Sequence, residues 1–220
     1  MVFYSNQREK YMDLQELERI VAEILQKPAL HRGIEKYTRI SNTLHKDSVV
    51  TNRDFQSVYA DFYGLNRVWS DEEKQKYFAV MEKFKTKNKI SKQQARIVFD
   101  AVCHVKEQCD ISFSSKMIHH FNKDLPIWDS VVAGDHFYFE ACTKGDLEYR
   151  EKIMWKRYWK YKNQFYRYME SAEGKKIIEL FDEYFPDSKW ISKVKKLDFV
   201  LWQDKKTAGI VIAEDYKNQD

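Results

Sequence analysis

A lysine and an aspartate, Lys116 and Asp129, lie close to the starts of two consecutive predicted helices. The first helix covers the run FSSKMIHHF, and the free N–H groups of its first turn need acceptors of the kind that serine hydroxyls supply. The candidate caps are Ser112, Ser114 and Ser115. Pro126 keeps the chain extended until Asp129 caps the second helix, SVVAGDHF. The sequence therefore predicts a basic and an acidic side chain at two neighbouring helix N-termini.

These positions suit nucleophilic chemistry. The positive end of a helix dipole favours the neutral amine of Lys116, and the neutral amine is the nucleophilic form of lysine. The free N–H groups at the same end bind phosphate. The carboxylate of Asp129 accepts backbone hydrogen bonds, which favour its ionised form. A lasting negative charge at Asp129 suits the stabilisation of a positively charged, sugar-like transition state.

The spacing of apolar residues in FSSKMIHHF predicts a one-sided helix, with Lys116 and His119 turned away from the core. The residues expected to face inward are Met117, Ile118 and Phe121. His119 and His120 are adjacent, so their side chains point in different directions and do not share one metal ion. A histidine one turn beyond Lys116 is either a proton shuttle or, by default, a core or surface residue.

The same stretch resembles a known family. SFSSKMI is similar to the GVGTKVA-type turn and helix start of the helix-hairpin-helix DNA glycosylases, and LPIWDSVV is similar to the P-(V/I)-x-D-x-(H/N)-V segment that carries their aspartate. The 8-oxoguanine DNA glycosylase branch is the nearest match, and the resemblance covers residues 95 to 137. It implies that Lys116 attacks the sugar C1′ of a flipped-out nucleotide and that Asp129 supports the reaction electrostatically.

The chain departs from the family pattern in two respects. The hairpin glycines, which let the backbone approach a DNA phosphate, are replaced by Ser112 and Ser114. The stretch between the lysine and the aspartate is also several residues shorter. Beside the catalytic pair, the candidate substrate-binding and DNA-binding residues are Ser112, Ser114, Ser115, His119 and Trp128. Trp128 either stacks on a base or fills the core, and the core is the favoured role.

A basic run follows. Six basic residues and no acid occur between Lys152 and Arg167, interleaved with aromatic residues. Helical spacing predicts a core stripe of Trp155, Tyr158, Trp159, Phe165, Tyr166 and Met169. Tyr161 and Tyr168 fall with the cations on the outer face. That face either contacts the phosphate backbone or is simply solvated. The candidate DNA-binding residues in it are Lys156, Arg157 and Lys160.

The composition favours an all-α protein. The 220 residues include only three prolines and six glycines, so long helices are rarely interrupted. We expect about ten helices. The resemblance implies that these helices form a glycosylase-like fold.

The chain forms either a single domain or two lobes. The boundary between the lobes would lie near residues 85 to 90, at the basic connector KTKNK, and the active-site cleft would lie between them. The short apolar run GIVIA near the end is either a strand or the end of a helix.

The capping signals set the predicted helix starts. Pro28 is expected to end the first helix, and Thr51 or Asn52 to cap the third. Ser70 begins a capping box, and Ser91 caps the helix that leads into the glycosylase-like stretch.

The sequence predicts neither a cofactor nor a metal site, because Cys103, His104 and Cys109 match no zinc-binding spacing. The first ten residues contain no apolar signal segment, and no stretch approaches the ~18 apolar residues of a membrane span. Three cysteines without paired spacing favour reduced thiols. We expect a cytoplasmic monomer without a membrane partner, associated with the nucleoid if it binds DNA.

Three functions are compatible with these features. The first is a DNA glycosylase, with or without lyase activity, acting on modified or damaged DNA. The second is a catalytically inactive DNA-binding protein that retains a glycosylase-like fold. The missing hairpin glycines favour this interpretation. The third is a helical module that binds a protein partner through its surplus aromatic residues. The net charge of +4 does not discriminate among them.

Overall fold

The computed structural model describes residues 14–85 and 89–204, and this part of the chain is all-α. It contains nine α-helices, which are α1 (Leu14–Leu25), α2 (Pro28–Thr43), α3 (Arg53–Tyr63), α4 (Asp71–Phe84), α5 (Lys92–Lys106), α6 (Ile111–Phe121), α7 (Leu147–Glu170), α8 (Ala172–Tyr184) and α9 (Lys193–Gln203). Short 3₁₀ turns occur at Leu65–Arg67 and Pro186–Ser188, and a π-helical segment spans Ser130–His136. No strand occurs in the described residues, which confirms the predicted fold class. The middle of the KTKNK connector and the GIVIA run lie outside the described residues.

Most of the observed helix ends lie where the capping signals of the sequence predicted them. The side chain of Asn52 accepts a hydrogen bond from Phe55 N, and Ser70 and Ser91 each form a complete capping box. Gly64 ends α3 with a φ of 76°, a conformation that glycine adopts without strain. Pro28 does not merely end α1 but begins α2, because its missing N–H is not needed in a first helical turn.

The start of α6 differs from the prediction. The cap is Asp110, whose carboxylate accepts a hydrogen bond from Phe113 N at 3.1 Å, and none of the three serines has this role. Ser114 instead donates its hydroxyl hydrogen to Asp110 O at 2.6 Å, inside the helix. Because α6 already begins at Ile111, Lys116 lies in its second turn rather than its first.

The expectation of a one-sided α6 is also wrong. Every residue of α6 except Ser112 is buried, including His119 and His120. The helix is enclosed because other elements reach it from several sides. Tyr37 of α2 contacts His119, Tyr77 of α4 donates a hydrogen bond to Phe113 O, and the segment before Asp129 contacts Ser115. The polar residues of α6 are therefore accommodated by hydrogen bonds within the protein rather than by water.

Helices α5 and α6 form an antiparallel hairpin. The turn between them covers residues 107–110, and the opposite ends meet where Ile90 N donates a hydrogen bond to Phe121 O at 3.3 Å. The left-handed position of the turn is occupied by Glu107, with a φ of 51°. Ser112 and Ser114, which the resemblance predicts at the positions of the hairpin glycines, lie within the helix and not in the turn.

Helix α7 packs against its neighbours through a stripe of buried side chains that the sequence predicted only in part. Tyr161 and Tyr168, predicted on the outer face, are 0% and 5% exposed. Trp155 and Trp159, predicted in the core, are only partly buried. The buried stripe steps by three or four residues along the helix, and its members are Glu151, Met154, Tyr158, Tyr161, Phe165 and Tyr168. Met169 is buried beside its end.

None of the helices in residues 14–85 and 89–204 is long and apolar enough to span a membrane. The division into two lobes near residues 85 to 90 stays a prediction.

Candidate active site

A cavity of about 450 Å³ brings Lys116 and Asp129 together. Its walls come from α3, α6, the start of the π-helical segment and α9. Aromatic side chains form much of the lining, with charged groups between them. The aromatic members are Phe62, Tyr63, Phe113, Phe199 and Trp202. This volume falls within the range of roughly 300–1,000 Å³ that is usual for small-molecule sites.

Lys116 is almost fully buried in the cavity wall, with 8% of the residue exposed. Its Nζ donates a hydrogen bond to the carbonyl oxygen of Tyr63 at 3.3 Å and lies 4.4 Å from the centroid of the Phe113 ring. Burial lowers the pKa of Lys116, and the charges of Asp129 and Asp110 oppose this shift without cancelling it. A larger fraction of this amine is therefore neutral than of an exposed lysine at the same pH.

Lys116 differs from the other buried lysines of the described chain. Lys195 forms an ion pair with Asp198 at 2.6 Å, and Lys196 forms one with Asp182 at 2.5 Å. No carboxylate of the described residues forms an ion pair with Lys116. An unpaired ammonium group in such surroundings is costly, and deprotonation relieves the cost.

Asp129 is held by its backbone context. Its Oδ1 accepts a hydrogen bond from Val131 N at 2.9 Å, which confirms the predicted N-cap, although the capped segment is π-helical rather than α-helical. Short π-helical segments are rare in proteins, and many of those that do occur lie at functional sites.

The extended segment that precedes Asp129 is fixed on both sides. Two tyrosine hydroxyls of α7 donate to its carbonyl groups, from Tyr158 to Pro126 O and from Tyr161 to Ile127 O, both at 2.9 Å. From the other side, Trp128 N donates to the hydroxyl oxygen of Ser115 at 2.9 Å. The position of Asp129 relative to α6 is thus set by buried hydrogen bonds.

The predicted residues around this pair have separate places. Ser112 lines the cavity, whereas Ser114, Ser115 and Trp128 are buried and do not. The ring of Trp128 packs edge-on against Phe139 and Tyr161, so the core role favoured for it is confirmed. Ser115 contributes through its hydrogen bond to the segment that carries Asp129.

His119 and His120 are buried and do not line the cavity. The Nδ1–H of His119 donates to Leu125 O at 2.8 Å, which leaves Nε2 to accept from the Tyr37 hydroxyl at 2.9 Å. Burial lowers the pKa of His119 to about 3 and that of His120 well below its ordinary value. Both nitrogens of His119 are occupied, which favours a structural role over proton transfer or DNA contact.

The basic residues of α7 lie apart from the cavity. None of Lys156, Arg157 and Lys160 is among its lining residues. Arg157 donates a hydrogen bond from Nη1 to Glu140 O at 2.8 Å, and Lys156 is exposed. Any contact of these residues with DNA would therefore be with parts of the nucleic acid outside the cavity.

Four further charged residues of the cavity were missed by the sequence analysis, Asp61 and Arg67 at and after the end of α3 and the pair Lys195 and Asp198 on α9. The two residues of α9 have the i, i+3 spacing that is usual for a solvated ion pair. The pattern does not reveal that this pair is buried. Asp198 is 4% exposed, and burial raises its pKa while the charge of Lys195 opposes the shift.

In residues 14–85 and 89–204, no three His, Cys, Asp or Glu side chains are grouped so that they could hold a metal ion. Comparisons of the chain with models of known protein families, with curated proteins and with solved structures gave no match.

Proposed function

We propose that the protein is a DNA glycosylase, with or without an accompanying lyase activity, that removes a modified or damaged base. Lys116 is the nucleophile, and Asp129 stabilises positive charge on the sugar. The observation that carries the proposal is a buried lysine without an ion-pair partner among the described residues, in a cavity shared with an aspartate.

The chemistry follows from these two groups. The neutral Nζ of Lys116 attacks C1′ of the sugar, and the glycosidic bond breaks with its electron pair leaving on the base, which takes up the proton that the amine loses. The C1′–O4′ bond then opens with its electron pair on O4′, which is protonated, and leaves the lysine–sugar imine. The carboxylate of Asp129 stabilises the positive charge that develops at the sugar while the base leaves. The duplex must first release the nucleotide from its stack, because a base within the helix cannot reach a buried amine.

Borohydride trapping tests the proposal. The full chain is incubated with duplexes that contain 8-oxoguanine, uracil, an alkylated purine or an abasic site, and reduction converts a lysine–sugar imine into a stable adduct. We expect an adduct with at least one duplex, no adduct with Lys116→Gln, and much slower adduct formation with Asp129→Asn. Retention of the adduct in Lys116→Gln would contradict the assignment.

Lys123→Gln is the matched control. Burial also lowers the pKa of Lys123, but this lysine does not line the cavity. If a lowered lysine pKa alone were sufficient for trapping, both substitutions would reduce the amount of adduct. We expect Lys123→Gln to form the adduct as the unmodified protein does.

A catalytically inactive DNA-binding protein is the second candidate function. Its support is the α5–α6 turn, where Glu107 and not a glycine occupies the left-handed position, so that contact with DNA would come from another surface such as the basic residues of α7. A carboxylate repels a DNA phosphate, so this turn does not offer the phosphate contact that a glycine-rich hairpin offers. DNA binding without any adduct, and unaffected by Lys116→Gln, would favour this candidate.

A further inference from the structure

One face of α9 is turned towards the cavity. Lys195, Asp198, Phe199 and Trp202 all line it, and their spacing of i, i+3, i+4 and i+7 is that of a single helix face. The face combines a positive group, a negative group and two aromatic rings. Nothing in the proposed reaction at Lys116 and Asp129 uses these four residues.

The two charged groups of this face are held in one arrangement. Lys195 Nζ and Asp198 Oδ2 are 2.6 Å apart, and the side chains are 4% and 6% exposed. Lys195 Nζ is also 4.4 Å from the centroid of the Phe199 ring and 5.4 Å from that of Phe62. Cation–π contacts of this kind limit the positions that the ammonium group can adopt. The cavity wall therefore carries a fixed hydrogen-bond donor directly beside a fixed acceptor.

Stability does not explain this pair. Desolvation of two charges costs about as much as their attraction returns, and apolar replacements of similar size are often neutral or stabilising. A second ion pair of α9, between Lys196 and Asp182, offers an internal comparison because neither of its residues lines the cavity. The Lys195–Asp198 pair differs from it in lining a cavity of about 450 Å³, which can hold a ligand.

The aromatic lining indicates the shape of that ligand. Tyr63 and Phe113 line the cavity from α3 and α6, and Phe199 and Trp202 line it from α9, so that a flat ring would meet aromatic side chains of three helices. Phe62 already packs against Phe199, with ring centroids 6.4 Å apart. A purine is flat, fits the volume and carries polar atoms along its edge. A donor beside an acceptor is complementary to an edge with an acceptor beside a donor.

We propose that the Lys195–Asp198 pair reads the edge of the base in the cavity and selects bases that have a carbonyl oxygen next to a ring N–H. This inference rests on the proposed function for the presence of a base in the cavity. Lys195 Nζ donates to the carbonyl oxygen, and the ring N–H donates to an oxygen of Asp198. Adenine has the reverse order, with an amino group that would face the ammonium and a bare ring nitrogen that would face the carboxylate. Both contacts are repulsive, so adenine is rejected.

Hypoxanthine and adenine provide a matched pair of probes, because these purines differ only at this edge. Binding of each free base to the full chain is measured by ligand-observed NMR. We expect hypoxanthine to bind about tenfold or more tightly than adenine, which is the effect of one hydrogen bond to a charged group. Equal binding of the two bases, or no binding of hypoxanthine, would overturn the inference.

The double variant Lys195→Met/Asp198→Leu tests whether the pair is responsible. It replaces both charges by apolar side chains and should fold, which thermal unfolding verifies. We expect it to lose the preference for hypoxanthine, whereas Lys196→Met/Asp182→Leu retains it. A preference that persists in the first variant would refute the assignment to this pair.

A failure of this inference can be distinguished from a failure of the proposed function. If no duplex is trapped but the preference for hypoxanthine depends on Lys195 and Asp198, the inference stands and the glycosylase proposal fails. If a duplex is trapped through Lys116 while the two bases bind equally, the proposal stands and the inference fails.

Discussion

Lys116 combines two properties that are costly together, since it is buried and has no ion-pair partner among the described residues. Natural proteins rarely bury a lysine in this way, because the charged form is poorly solvated and the neutral form gives up a strong hydrogen-bonding group. Such a cost is commonly found where the unusual protonation state is used. The sequence indicated Lys116 as a nucleophile through its position at a helix start, yet burial and not the helix end is the main cause of its lowered pKa.

The stability of Lys116→Met tests this account of the residue. A lysine whose folded pKa is lowered destabilises the protein while its amine is charged, and the penalty disappears as the pH rises through the interval up to its unfolded pKa. We expect the melting temperature of Lys116→Met at pH 7 to be about 2–4 °C higher, or roughly 1 kcal/mol. The difference should narrow towards pH 10 in calorimetric scans.

Lys196→Met is the matched control for that measurement. It leaves the carboxylate of Asp182 without its partner, and this carboxylate is about one-third exposed. We expect a loss of roughly 1 kcal/mol, discounted for the exposure of Asp182. A lower stability in both variants would contradict the view that Lys116 is the costly residue.

The buried histidines of α6 predict the response of the fold to acid. The pKa of His119 is lowered to about 3 and that of His120 is also lowered, so the unfolded chain binds protons that the folded chain does not. The free energy of unfolding should therefore fall as the pH drops below about 6.5, by up to about 1.4 kcal/mol per pH unit for each histidine. Urea titrations between pH 7 and pH 4.5 measure this slope.

His119→Gln should reduce that slope, because it removes one of the two buried imidazoles. A free energy of unfolding that is constant between pH 7 and pH 5 would be inconsistent with two neutral, buried histidines.

At the scale of elements, the position of Asp129 depends on α7. The hydroxyls of Tyr158 and Tyr161 hold the extended segment from the side opposite to α6. The sequence did not reveal this support, because it placed Tyr161 on the outer face of α7. The helical spacing of α7 is compatible with more than one stripe, and only the packing of the neighbouring segment decides which one is buried.

Tyr161→Phe tests the support. The substitution leaves the buried carbonyl of Ile127 without its donor, and we expect a loss of about 1–3 kcal/mol in urea unfolding together with slower trapping. Tyr166→Phe is the control, since its hydroxyl donates to Asp124 O in the same turn at an exposed position. An equal loss in both variants would argue against a special role of the buried bond.

The elements themselves were largely predictable, and the reasons are local. The capping box at Ser70 and the cap at Ser91 depend on neighbouring residues, and both were correctly placed. The start of α6 was misplaced because Asp110 and three serines are all acceptable caps, and only the packing of the hairpin selects among them. The burial of His119 depends on helices distant in sequence, which no local pattern reports.

At the scale of the whole molecule, the net charge of +4 gives little information, and the distribution of charge matters more. The basic residues of α7 lie outside the cavity and are a separate candidate for contact with the DNA backbone. The Lys195–Asp198 pair shows the limit of sequence reasoning at this scale. Its members were identified only when α9 was placed against α3 and α6.

Salt dependence tests the proposed role of α7. If Lys156 contacts a phosphate, Lys156→Glu should weaken duplex binding and reduce the slope of log affinity against log salt by about 1. Fluorescence anisotropy at several salt concentrations measures both quantities. Lys46→Glu changes the charge equally at an exposed position on another part of the surface. An identical change of slope in both variants would indicate a general charge effect and not a contact of α7.

The most direct test of the central claim is to locate the residue that carries the reduced sugar after borohydride trapping. The adduct formed by the full chain is digested, and the modified peptide is sequenced by mass spectrometry. The account predicts that the sugar is attached to Nζ of Lys116. Attachment to any other residue would contradict it, as would the absence of an adduct on every duplex to which the protein binds.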